Sequence, residues 1–189
     1  MSCSTKITAD ILECSKLPTK GLKSKAWIFN ADEVNFTMTK NKITAITMAS
    51  GKTSFTAEGA KDFITAGHEA VVAENKLTVY KHNFSVQAFP LTAVEKENLD
   101  VADNIIVIVE ANGEKGVKGE GVFLAYGVTN GLWKTTQTKS SADNNALTTF
   151  EFSSRDQMEE RYSEYVVFIT DYDSTKTALI ATESTESVG

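Results

Sequence analysis

The sequence predicts a mainly β domain of about nine strands with one firm helix. Three observations carry that reading. Thr, Val, Ile, Phe and Tyr are plentiful, and these residues favour a pleated, half-buried surface. Short runs of alternating apolar residues recur along the chain, separated by Gly, Asn and Ser. The stretch 121–138, GVFLAYGVTNGLWKTTQT, reads as a β-hairpin closing on Asn130-Gly131. Asn-Gly is the preferred centre of a two-residue type I′ turn, because both positions need φ > 0.

In that register Val128 faces Trp133, Tyr126 faces Thr135 and Leu124 faces Gln137. Val122, Leu124, Tyr126 and Val128 then share one face with Trp133, which makes Trp133 a core residue. Phe123, Ala125, Gly127, Lys134 and Thr136 share the other face, which is only part apolar. A four-residue turn around Gly127–Gly131 would shift these pairings and stays open as an alternative.

The remaining elements follow in chain order. Residues 1–22 are polar and irregular, an arm or surface coil punctuated by Pro18 and Gly21. AWIFN (26–30) is the first strand, KITAITM (42–48) the second, and Ser50-Gly51-Lys52 turns into a third over 53–57. Residues 59–67 read ambiguously, with a helical turn as one option. KLTVYKHNFSVQAF (76–89) is the longest strand, and its apolar phase changes near His82, which predicts a bulge or twist there.

Thr92 followed by Glu95 fits a capping box and predicts a helix from Ala93 to about Ala102, with Leu91, Val94 and Val101 buried. NIIVIVEA (104–111) reads as a strand buried on both faces. ALTTFEF (146–152) and YVVFIT (165–170) are further strands, and 176–182 is read as one more. Ser154 with Gln157 offers a weaker capping box before 158–162.

A chain of 189 residues is most often one domain. At this size roughly 70% of the unfolded surface can be buried, so a core needs neither metal nor disulfide. Cys3 and Cys14 are the only cysteines, too few for a disulfide framework or a four-ligand zinc site, and read as free thiols. No apolar segment of signal-peptide type follows Met1, so secretion is not expected. The purest apolar run, 105–109, is far too short to cross a bilayer as a helix. Net charge is −6 but uneven: residues 1–52 hold eight Lys against four acids, and the rest is strongly acidic. That asymmetry suits head-to-tail contact between unlike surfaces as well as it suits ordinary solvated faces.

Candidate chemistry is sparse. VVFITDYDST (166–175) resembles the first motif of haloacid-dehalogenase-like phosphatases, which makes Asp171 the nucleophile and Asp173 the general acid/base beside Mg²⁺. That motif opens its family's fold, whereas few residues follow Thr175 here, so a strand ending in an Asp-rich turn is the preferred reading. Gly113, Gly116, Gly119 and Gly121 lack the Gly-Lys-Ser/Thr sequence and following helix of a phosphate cradle, and read as a turn. His68 and His82 have no motif that pairs them with a nucleophile or metal. The four lysines of 16–25 read as a solvated arm. No catalytic, cofactor-binding or metal-ligating residue is expected.

Taken together, the chain resembles the tail-tube-like virion proteins of tailed bacteriophages, in particular ring and tube proteins of crAss-like and related Bacteroides phages. The resemblance lies in an ordered series: AWIFNADEV (26–34), ITAITMASGK (43–52), VYKHNFSVQAF (79–89), the helix 93–102, IIVIVEANG (105–113), AYGVTNGL (125–132) and LTTFEF (147–152). It implies a β-sandwich or barrel flanked by one helix, with an arm at 1–22, a β domain at 23–152 and an extension at 153–189. It also implies a virion protein of the tail or connector, made in the host bacterial cytoplasm. Its partners would be further copies in a ring of about six or twelve, neighbouring tail, ring or portal proteins, and genomic DNA passing through the lumen without membrane insertion. An acidic lumen would repel phosphates during ejection. Two rival classes stand beside this reading. One is a carbohydrate- or protein-binding β-sandwich with Trp27 or Trp133 as stacking residue. The other is a Mg²⁺-dependent phosphatase through Asp171 and Asp173.

Overall fold

The run 105–109 is buried on both faces, as its unbroken apolar sequence predicts. This follows from a computed structural model of the chain, which describes residues 21–59, 63–72, 77–88, 92–112, 117–139 and 147–183. Eleven strands and two helices are present among them. The chain begins with β1 (Leu22–Asn30), β2 (Val34–Thr39), β3 (Lys42–Met48), β4 (Phe55–Glu58), β5 (Ile64–Val72) and β6 (Thr78–Ala88). Helix α1 (Ala93–Val101) is followed by β7 (Ile105–Ala111), β8 (Phe123–Tyr126), β9 (Trp133–Lys139), β10 (Thr148–Ser153), β11 (Tyr165–Val167) and helix α2 (Tyr172–Ile180).

The strands form two sheets, a β-sandwich. One has seven strands in the order β2-β3-β11-β8-β7-β1-β4, and the other four in the order β5-β6-β10-β9. All pairs are antiparallel except β11 with β3. Alternation along β1 and β7 sorts their side chains onto the two faces of the large sheet. Ala26, Ile105, Val107 and Val109 meet Phe84, Val86, Phe150 and Phe152 of the small sheet, which makes the inter-sheet core. Trp27, Phe29, Ile106 and Ile108 face the other way and are covered by Leu179 of α2, with Phe36, Ile46 and Met48 packed at the margin.

The expected hairpin at 121–138 does not form. β8 pairs with β7 and β11 inside the large sheet, whereas β9 pairs with β10 in the small one. Between them the chain arches from sheet to sheet. Gly127 and Gly131 take φ of +74° and +72°, and Asn130 is not left-handed. Leu132 is fully buried and exchanges two backbone hydrogen bonds with Ile105, at 2.8 and 2.7 Å. Anchoring Leu132 in the inter-sheet core sends the return strand to the second sheet. As a result β8 is covered on both faces: Phe123 and Ala125 join one core, Leu124 and Tyr126 the other. Trp133 is only half-buried.

One strand is added and three further readings change. Residues 34–39 are a strand whose hairpin with β3 pairs Thr39 with Lys42 and places Lys40 at φ +57°. The stretch 59–67, read ambiguously, runs into strand β5 over Ile64–Val72. Residues 176–182 are mostly helix: Asp171 caps α2 by accepting the Ser174 N–H at 2.7 Å, and Thr175 and Leu179 bury one stripe four residues apart. The second capping box is not one. Ser154 Oγ accepts the His82 N–H at 3.0 Å instead, and 154–164 run as irregular backbone across β6 and the arch.

Helix α1 lies where it was expected, but not on the expected face. Val94 and Val101 are 65% and 70% exposed, while Leu99 and Ala102 touch the inter-sheet core. The Leu91 backbone and the Glu95 side chain lie outside the described residues. Residues 153–183 supply β11 and α2 to the same sandwich, with β11 seated between β3 and β8.

Candidate interaction surface

The register of the small sheet fixes which side chains face away from the core. Phe84, Val86, Phe150 and Phe152 point inward. Thr65, Asn83, Ser85, Gln87, Thr138 and Thr149 therefore occupy the outer face. Glu69, Lys81 and Glu151 share it, and Lys81 forms an ion pair with Asp156 at 2.7 Å. The result is a surface rich in hydroxyls and amides and low in charge, with Val71 and Val79 facing each other across β5 and β6 and Trp133 opposite Ser153 as its apolar members. Its margins are β5 and β9, which pair with no further strand among the described residues. The β4 edge of the large sheet differs, because just before it the Ser54 N–H donates to Thr182 O at 2.7 Å and Ser54 forms a bridge with Glu183.

The arch stands at one end of this surface, and polar groups from three directions hold it. Glu160 is fully buried; its Oε1 accepts the N–H groups of Thr129 and Asn130 at 2.9 and 3.0 Å, and its Oε2 accepts the Tyr165 hydroxyl at 2.9 Å. His82 is also fully buried; Nδ1 accepts the Gly127 N–H at 3.0 Å, and Nε2 donates to Tyr162 O at 2.9 Å. Asn130 Nδ2 donates to Glu159 O at 2.9 Å. Burial, the main influence, lowers the His82 pKa, against the Tyr162 carbonyl and the Glu160 charge, which favour the imidazolium. The Tyr165 hydroxyl is pushed up, chiefly by burial.

Beside the arch lies a shallow depression of about 290 Å³, lined in part by Asp32, Asn104, Asn130, Trp133 and Met158. Arg155 covers one face of Trp133, its guanidinium carbon 3.4 Å from the ring centroid. The C-terminal end of α1 is fastened nearby. Lys134 Nζ donates to the carbonyls of Leu99 and Asp100 at 2.8 and 2.6 Å, and Gln137 Nε2 donates to Asp100 at 2.6 Å.

The structure scatters the candidate residues read from sequence. Asp171 is spent on capping α2; its carboxyl is held low by the Ser174 amide and hydroxyl, and Asp173 is exposed in the first turn. Asp171 and Asp173 therefore face no assembled partner set: among the described residues no cluster of three His, Cys, Asp or Glu side chains could hold a metal. His68 is exposed, opposite His82 across the β5–β6 ladder, with its ring edge-on to Tyr80 at 5.7 Å. Gly119 and Gly121 sit in a tight turn at φ +88° and +86°, and Gly113 and Gly116 lie outside the described residues. Trp27 is 1% exposed, with its indole N–H on Glu183 at 2.8 Å, so it offers no stacking surface. Cys3, Cys14, Lys16 and Lys20 lie outside the described residues.

Glu160 had no signal in the sequence, being one acid in a polar stretch whose partners are distant backbone amides. The β2 strand did have one, the alternation of Val34, Phe36 and Met38 against Asn35, Thr37 and Thr39. No helix is long and apolar enough to cross a membrane among the described residues. No protein-family model matches the chain, and no curated protein or solved structure is significantly similar to it. What the fold and surface define is a two-sheet β-sandwich with one polar sheet face bounded by β5 and β9, which pair with no further strand among the described residues.

Proposed function

We propose that this chain is a structural subunit of a phage tail or connector, forming a closed ring or a tube segment whose small sheet faces the DNA channel. The observation that carries this reading is the hydroxyl- and amide-rich outer face between β5 and β9, which pair with no further strand among the described residues. A face of that kind stays hydrated and offers few cations to phosphates, so a passing duplex finds little to bind. Open edge strands invite uncontrolled pairing, and closing a ring turns them into interfaces between copies. The partners in this reading are further copies, neighbouring tail, ring or portal proteins, and DNA in transit. No residue is catalytic in it.

The test is native mass spectrometry and sedimentation of the purified chain, together with its co-expression with the other structural proteins of its virion. Closed rings, or incorporation into particles, support the proposal. A monomer that also fails to join particles overturns it. The half-exposed ring of Trp133 beside the depression favours a second reading, a carbohydrate- or protein-binding module. Glycan-array binding that is lost in Trp133→Ala would favour that reading.

A further inference from the structure

We propose that His82 makes the arch at 127–131 an acid-released clasp between the two sheets. The geometry admits only one state of the ring. Gly127 N can only donate, so Nδ1 must carry a lone pair; Tyr162 O can only accept, so Nε2 must carry the proton. A second proton would have to sit on Nδ1, pointing at the Gly127 N–H across a bond that is now 3.0 Å. The ring is fully buried and has no spare space to turn: Tyr126 of β8 meets it edge-on at 5.3 Å and Tyr165 of β11 at 6.4 Å. An imidazolium therefore requires Gly127 to leave. Glu160 still holds the Thr129 and Asn130 amides, so opening begins at the Gly127 end.

Every packed element contributes a group to this balance. β5 presents His68 across the ladder, whose charge in acid would oppose a second cation. β6 itself carries Tyr80 and Lys81 beside the ring. β8 gives Tyr126, whose hydroxyl reaches Glu164 at 3.4 Å, and β11 gives Tyr165. The 154–164 segment brings Glu160, which favours the cation, with Arg155, Arg161 and Tyr162. Burial outweighs the favourable charge, and the folded pKa lies below the ordinary imidazole value. With the folded pKa depressed, protons bind the open form preferentially. The clasp is closed above the ordinary value near 6.5 and loosens as pH falls below it, by up to about tenfold per pH unit. This inference is independent of the ring proposal.

Amide hydrogen exchange on the full chain between pH 7 and pH 5, divided by intrinsic rates, tests it. The expected result is Gly127 protection that holds down to about pH 6.5 and then falls, approaching about tenfold per pH unit by pH 5. Amides of the β1–β7 ladder keep theirs, and His82→Gln removes the pH dependence. Constant Gly127 protection, the same pH dependence in His82→Gln, or parallel loss in the β1–β7 ladder would each overturn the proposal. Should His82→Gln fail to fold, the wild-type ring decides by ¹⁵N NMR. The neutral Nε2–H tautomer must give way to imidazolium in step with Gly127 exchange, and a ring still neutral while Gly127 opens sinks the idea.

Discussion

The guanidinium of Arg155 lies 3.4 Å from the ring centroid of Trp133, so one face of a half-buried indole is covered by a cation rather than by the core. The same indole donates its N–H to Asn130 O at 3.2 Å and so reports on the arch. Truncating a fully buried tryptophan costs about 3–5 kcal/mol. Because Trp133 is half-buried, Trp133→Ala should cost less, about 2 kcal/mol of burial and cation–π contact. Arg155→Ala should cost under about 1 kcal/mol and shift the Trp emission. Urea unfolding followed by fluorescence measures both; a Trp133→Ala cost at the fully buried level would mean that the ring is core after all.

Gly131 cannot carry a side chain in this arch. A Cβ there would stand 2.0 Å from Asn104 Oδ1, and φ is +72°. Gly131→Ala should destabilise by more than about 1 kcal/mol from backbone strain alone. Asn104 is itself left-handed at φ +52°, so Asn104→Gly removes the clash and a local strain together. The double variant should recover part of the Gly131→Ala loss, a coupling that a double-mutant cycle in urea reads directly. Strictly additive costs would contradict the contact.

Lys134 places its ammonium on the last carbonyls of α1, where the helix dipole is negative. Lys134→Met keeps the stem and removes the charge. It should lower stability by about 0.5–2 kcal/mol and loosen α1 ahead of the sheets. Exchange protection of α1 amides relative to β7 is the measurement, and unchanged α1 protection would show that Leu99 and Ala102 suffice to hold the helix.

Glu110 is 3% exposed and anchors α2 to the large sheet. Lys23 donates to it, Tyr172 donates its hydroxyl at 2.7 Å, and Lys176 approaches at 3.7 Å. Burial alone would raise its carboxyl; the bonds from Lys23 and Tyr172 and the two lysine charges together hold it below the ordinary value. A depressed carboxyl pKa contributes stability that is present above the unfolded value, about 4.3, and is lost as pH falls through the folded one. Glu110→Gln should therefore cost about 2 kcal/mol at pH 7, and wild type and variant should converge in acid. Parallel stability curves down to pH 3 would refute the linkage.

The sequence was legible where structure follows from neighbours along the chain. The unbroken IIVIV run announced β7, and Thr92 announced α1 from its first residue. Legibility ended where a distant partner decides. Asn130-Gly131 has the local chemistry of a hairpin turn, yet Leu132 pairs with Ile105 and turns the hairpin into an arch. The run Thr177–Thr182 is rich in strand formers, but Asp171 caps it and Leu179 has a sheet face to cover, so packing makes a helix of it. Local signals for α2 and β2 were present: the Asp171-to-Ser174 cap spacing and the alternation of 34–39. The Glu160 and His82 contacts were beyond reach, because buried backbone amides leave no trace in composition.

The place of β11 governs when the domain can fold. It lies between β3 and β8, so the large sheet has a gap in its middle until Tyr165–Val167 have been synthesised. A nascent chain that already contains β1 to β10 still exposes the facing edges of β3 and β8, with Phe123 and Ile43 near the breach. Pairings this remote in sequence are slow to close, and open edges are prone to wrong partners in the interval. Completion of the large sheet therefore waits for β11, and until that strand arrives the edges of β3 and β8 stay open to wrong partners.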